Sequence, residues 1–174
     1  MKNEVFEVKY HSEFDREVKR FIVKKDFKKL PNQIDKLVKD LEKSKKKFAE
    51  FFGVEIPPNV HSGEHSITKT QYKGEDAPDA SCTMAFFDVG DTIRIELIQP
   101  GEGPSTWREC LEKNGEGVHH LAFRIKGMQN AIQSCEKFGM TLEQKGEYNN
   151  NKGRYAYMDA SDTLKVVVEL LEND

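Results

Sequence analysis

The sequence is poor in cysteine: Cys82, Cys110 and Cys135 are the three in 174 residues, far apart and without a C-x-x-C pair. That scarcity excludes a disulfide scaffold and suits reduced thiols in a cytosolic protein. Apolar runs are also short. None approaches the ~18 residues of a membrane span, and the charged start from Lys2 onward is unlike a secretory leader, so a cytoplasmic location with no membrane partner is expected. Charge of one sign is lacking too. With a net charge of −3 and a pI near 6.0, and with lysine clusters diluted by acids, no nucleic-acid partner is expected. What remains is a hydrophobic content of 37% beside 33% charged residues, enough for one domain or two small modules that share a core.

Along the chain, Phe6, Val8 and Tyr10 alternate as in a short strand, and Ser12 caps a predicted helix on Phe14, Val18, Phe21 and Ile22. Residues 1–30 therefore read as an extension that docks on the domain or across a homodimer. After Pro31 comes a short strand, Gln33 to Val38, then Asp40 as the N-cap of a helix through Leu41, Phe48, Phe51 and Phe52 that stops at Gly53. Residues 57–80 read as a long loop. Two strands follow, 81–88 and 92–99, hinged at Gly90-Asp91. A linker at 101–117 carries a short helix on Trp107, Cys110 and Leu111. The tail gives a strand from Gly117 into His119-His120-Leu121-Ala122-Phe123-Arg124-Ile125, a helix ending at Gly139, a turn at Gly146 to Gly153, a strand through Tyr155 and Tyr157, and a last strand from Leu164 to Leu171. Period-2 alternation puts His120, Ala122 and Arg124 on one face and predicts that Leu121, Phe123 and Ile125 face a core.

The two halves superpose with Gln33 on His120. Gly53 then lies 20 residues after Gln33, and Gly139 lies 19 residues after His120. The closing strands also match, Ile93-Arg94-Ile95-Glu96-Leu97-Ile98 with Val166-Val167-Val168-Glu169-Leu170-Leu171. Each holds one acidic residue in an apolar run, pointing away from the apolar face. Self-similarity of this kind is a fold signal: an α+β protein of two tandem βαβββ modules, 31–100 and 118–174, forming a cupped mixed sheet. In such a cup Gln33, Glu96, His120 and Glu169 converge. One carbonyl oxygen, two carboxylates and one imidazole suit a divalent metal such as Zn, Ni, Co or Mn, which also removes the cost of burying two like charges. His119 then becomes a turn residue or a neighbour of the liganding histidine.

These residues resemble the vicinal oxygen chelate family, which includes glyoxalase I, methylmalonyl-CoA epimerase, extradiol dioxygenases and bleomycin-resistance proteins. The resemblance covers residues 31 to 172 and is strongest in Ile95-Glu96-Leu97-Ile98-Gln99-Pro100 and in Leu111 to Phe123, which look most like the epimerase branch. Val38-Lys39-Asp40-Leu41-Glu42-Lys43-Ser44 adds to it. The Gln33/Glu96/His120/Glu169 set resembles zinc-using glyoxalase I instead, and Asp35 and Lys36 stand where the family prefers small and apolar residues. The resemblance implies a cup around one metal and a small-molecule carbonyl or thioester substrate.

It also implies a lyase or isomerase that removes a proton beside a carbonyl, with Glu169 as principal base and Glu96 as its partner acid. Arg94, Arg124 and Arg154 are candidates for the substrate's anionic handle. The alternative is a non-catalytic binding protein of the same fold. His61-Ser62-Gly63-Glu64-His65 fits the metalloprotease pattern H-x-x-E-H, but that motif needs a helix, and the Pro57-Pro58 pair and Gly63 argue against one.

Overall fold

A computed structural model of the chain describes residues 32–90 and 93–174. The strand and helix expected within 1–30 lie outside the described residues. In chain order the elements are β1 (Asn32–Leu37), α1 (Leu41–Phe52), β2 (Val60–His61), α2 (His65–Thr68), β3 (Gln71–Tyr72), β4 (Glu75–Asp76), β5 (Cys82–Val89), β6 (Ile93–Pro100), α3 (Thr106–Asn114), β7 (Gly117–Arg124), α4 (Met128–Lys137), β8 (Thr141–Tyr148), β9 (Gly153–Asp159) and β10 (Val167–Asn173). Local chemistry sets many of the ends. Asp40 accepts from the Lys43 amide to cap α1, Gly53 closes that helix at φ 67°, and Ser105 accepts from the Arg108 amide to cap α3.

The strands form one sheet in the order β2-β5-β6-β1-β7-β10-β9-β8-β3-β4. At its centre β1 runs parallel to β6 and antiparallel to β7, which in turn runs parallel to β10. This sheet cannot be flat. The chain passes from β2 near one edge to β3 near the other in ten steps, from His61 to Gln71, and four of the residues between form a helical turn. Such a segment reaches roughly 26 Å, whereas eight strand intervals of ~4.8 Å span about 38 Å. The sheet therefore curls into a cup, and residues 62–70 tie its two sides together.

Both faces are packed. On the convex side α1 lays Leu41, Ala49, Phe48 and Phe52 against Val38, Ala85, Phe87 and Leu97. On the concave side α3 sets Trp107 and Leu111 against Leu37, Ile98, Tyr157 and Val167, plugging one end of the cup.

Several expectations are revised. The loop at 57–80 contains three short strands and one helical turn, and its β3 adds to the second module's β8. β8 itself was not separately legible between Gly139 and Gly146. The last strand begins at Val167 rather than Leu164, because Lys165 takes a left-handed φ of 63° just before it.

The predicted faces of β7 are corrected as well. His120 and Ala122 are buried, while Leu121 is 36% exposed and Phe123 half-buried. The ladder between β1 and β7 pairs Asp35 with His120 and then Lys36 with Val118, skipping His119. His119 is thus the extra residue of a β-bulge, which turns its side chain inward beside His120. Two neighbouring residues are buried where strict alternation allows one.

Candidate metal centre

The central ladders fix how the two halves correspond. Asp35 pairs with Glu96 and Ala122 with Glu169, while across the β1–β7 seam Gln33 pairs with Ala122 and Asp35 with His120. A two-fold axis through that seam exchanges Gln33 with His120, Glu96 with Glu169, and Asp35 with Ala122. The structure therefore brings Gln33, Glu96, His120 and Glu169 to one place on the concave face. Each is at most 9% exposed. It also brings a residue that the sequence marked only as a departure: Asp35 has 0% exposure and occupies the centre of the cluster.

Gln33 Nε2 donates to Asp35 Oδ1 at 2.8 Å and to Glu96 Oε2 at 2.6 Å. His120 Nε2 lies 3.0 Å from Asp35 Oδ2 and 3.3 Å from Glu169 Oε2. His120 Nε2 and Asp35 Oδ2 are nevertheless both buried without an aligned hydrogen bond among the described residues, so theirs is a contact of charges. Burying a polar atom unsatisfied costs about 1–3 kcal/mol. Ligand atoms around an ion with bonds of ~2.1 Å sit about 3.0–3.5 Å from their neighbours, which matches these separations. One ligand atom each from Asp35, Glu96 and His120 also lies within 4.8 Å of the others. The donor set, carboxylates with one imidazole, fits a divalent cation.

Without an ion the cluster divides its protons unevenly. Burial disfavours the charge on Asp35, yet the neighbouring His120 outweighs it and holds the carboxyl below its usual range. Glu96 goes the other way, pushed well up by burial and then by Asp35. His120 is pulled down by burial but raised overall to about 9 by Asp35 and Glu169. His119 is driven down to about 3 by burial and by His120. It is therefore a neutral imidazole near pH 7, and its Nδ1 sits 2.9 Å from His120 Nδ1. With Nε2 turned to an ion, His120 would carry its hydrogen on Nδ1, and His119 Nδ1 would accept it. This is the usual arrangement by which a neighbour orients a liganding histidine. Thr106 Oγ1 lies 3.5 Å from His119 Nε2 and donates to Glu143 at 2.9 Å.

The arginines divide. Arg94 and Arg124 share the faces of Glu96 and His120 by alternation. Arg94 also makes an ion pair with Asp88 at 2.7 Å. Arg154 is not brought to the cup. It is out of phase with Tyr157, and it pairs with Glu172 and Asp174, where Glu172 also accepts from the amides of Gly127 and Met128 at the start of α4. The two histidines of the H-x-x-E-H sequence lie on different elements. His61 is in β2, 3.1 Å from Thr83 Oγ1, and His65 opens α2 beside Asp76.

Residues 32–158 match the Glyoxalase/Bleomycin resistance protein/Dioxygenase superfamily, and the chain belongs to it. Among curated proteins, the uncharacterized protein YqjC of Bacillus subtilis (strain 168) is 28% identical over 99 residues, covering 56% of this chain and 70% of that protein. Among solved structures, methylmalonyl-CoA epimerase from Mycobacterium tuberculosis superposes with a TM-score of 0.55 at 18% identity, covering 83% of this chain and 87% of that one. A Streptomyces coelicolor methylmalonyl-CoA epimerase variant in complex with 2-nitronate-propionyl-CoA gives 0.54 at 19%, covering 83% and 99%. At these identities the likeness shows the fold.

Proposed function

We propose that this chain is a metal-dependent lyase or isomerase of the glyoxalase I and methylmalonyl-CoA epimerase type, removing a proton from the carbon beside a carbonyl. The observation that carries the reading is the buried pair of unsatisfied atoms, Asp35 Oδ2 and His120 Nε2, inside a group of carboxylates. Glu96, His120 and Glu169 would hold the ion, with β1 supplying the fourth ligand from Gln33 or Asp35. A divalent cation there supplies an electrophile for the charge that develops on the carbonyl oxygen. Glu169 is the principal base and Glu96 the acid on the other side of the seam. Phe86 and Tyr157, paired in the ladders with Glu96 and Glu169, bracket the site with rings that limit water.

The superposed epimerases make an acyl-CoA thioester the first substrate class to try, with Arg94 and Arg124 available for its anionic groups. Protein loaded with Zn, Ni, Co or Mn should exchange the α-proton of methylmalonyl-CoA in D2O, or turn over the hemithioacetal of methylglyoxal and glutathione. Activity on one alone identifies the branch. Glu169→Gln should retain the ion and lose about 10²–10⁴-fold in rate; full activity in that variant would remove Glu169 from the role. Tight ligand binding with no exchange under any ion would make the chain a binding protein instead.

A further inference from the structure

The two-fold axis of the cup exchanges unlike residues at Asp35. Its counterpart is Ala122, whose methyl group is too short to reach the centre. We propose that Asp35 is a ligand of the metal, taking the place expected of Gln33, and that it biases this site toward hard, oxygen-loving ions such as Mn2+ over Zn2+. The inference rests on the metal reading given above and refines which residues hold the ion.

Three observations carry it. Asp35 is entirely buried and its Oδ2 makes no aligned hydrogen bond among the described residues, and the atom it faces, His120 Nε2, is equally buried and makes none either. The two atoms meet 3.0 Å apart as a contact of charges without an aligned hydrogen bond, a separation that two ligands of one cation also take. Gln33, by contrast, is already employed. Its amide nitrogen donates to Asp35 Oδ1 and Glu96 Oε2, which orients those two carboxylates as a neighbour of the ion would rather than as a ligand. Finally, the charges favour it. Asp35, Glu96 and Glu169 are each at most 6% exposed and face one imidazole, a grouping that burial disfavours unless a cation joins it. Exchanging a neutral amide oxygen for a carboxylate gives three carboxylates and one imidazole. That set carries one more negative charge than the Gln/Glu/His/Glu set, and ligation dominated by carboxylate and water oxygens suits Mn2+.

The test is metal affinity, read without turnover. Full-length wild type, Asp35→Ala, Asp35→Asn and Gln33→Ala, each checked for a native melting transition, are titrated separately with Mn2+ and Zn2+ in competition with a chromophoric chelator, and Mn2+ is also followed by EPR. Asp35→Ala should weaken Mn2+ by about tenfold or more and Zn2+ by less, so that the Mn2+/Zn2+ preference falls. It should also change the EPR line shape of bound Mn2+. Gln33→Ala should cost less than Asp35→Ala for either ion. Should Asp35→Ala fail to fold, Asp35→Asn, of the same size, decides in its place. Wild-type affinity for Mn2+ in the Asp35 variants, or a larger loss from Gln33→Ala, overturns the assignment while leaving the metal reading intact. A wild-type protein that takes up neither ion overturns both.

Discussion

His119 shows how one side chain can be present for its neutrality. Its pKa is driven from 6.5 to about 3 in the folded chain, so between those values the unfolded state binds the proton and the folded state does not. Stability from this group therefore rises with pH across that window and is lost as pH falls below 6.5. Glu96, pushed up by burial and Asp35, acts with the opposite sign above its ordinary value, so the wild-type curve alone does not isolate His119. The difference between wild type and His119→Gln does. In urea unfolding under EDTA from pH 4.5 to 6.5, the variant should lose a slope of up to about 1.4 kcal/mol per pH unit relative to wild type; parallel curves would mean that His119 is protonated in place. At this scale the sequence was partly legible. Gln33, Glu96, His120 and Glu169 stood out through the repeat, because matched positions in two copies can be counted. Asp35 could not be found that way, since its counterpart is Ala122 and its meaning depends on what lies across the seam.

Among the elements, the ends of helices were the most legible and the strand registers the least. Asp40, Gly53 and Ser105 act within three or four residues of themselves, so local sequence suffices. The bulge at His119 comes from pairing with β1, more than eighty residues away, and no local pattern carries it. The helix α3 connects the two kinds of information. Ser105 starts it locally, but its worth lies in Trp107, 5% exposed and edge-on to Tyr157 at a centroid distance of 5.7 Å, whose ring in turn lies 4.8 Å from that of His120. Trp107→Ala should cost about 3–5 kcal/mol in urea unfolding and loosen the wall behind the metal centre. A loss below about 1 kcal/mol would mean that α3 is not part of the cooperative core.

For the molecule as a whole, the paired modules and the cup they form were legible because the βαβββ pattern repeats, and the tie across the cup was not, because it depends on where the long loop lands. The loop reads as irregular in composition, yet β3 within it pairs Gln71 with Lys145 and Tyr72 with Gln144 on the far module. Inserting four Gly and Ser residues after Gly63 should change global stability by less than about 1 kcal/mol, since closure entropy grows slowly with length. The same insertion should speed the exchange of bound Mn2+ by letting the sides of the cup separate. Unchanged exchange would show that the strand ladders alone hold the curvature.

That tie has a further consequence for how a ligand arrives. β3 is two residues long and β8, its partner, eight, so their junction opens by fraying at far smaller cost than any central ladder. The interior can then be reached through brief local release at one seam, with no hinge between the halves and no loss of the geometry that Asp35 and His120 share. Amide hydrogens at Tyr72 and Lys73 should accordingly exchange faster than those of β7.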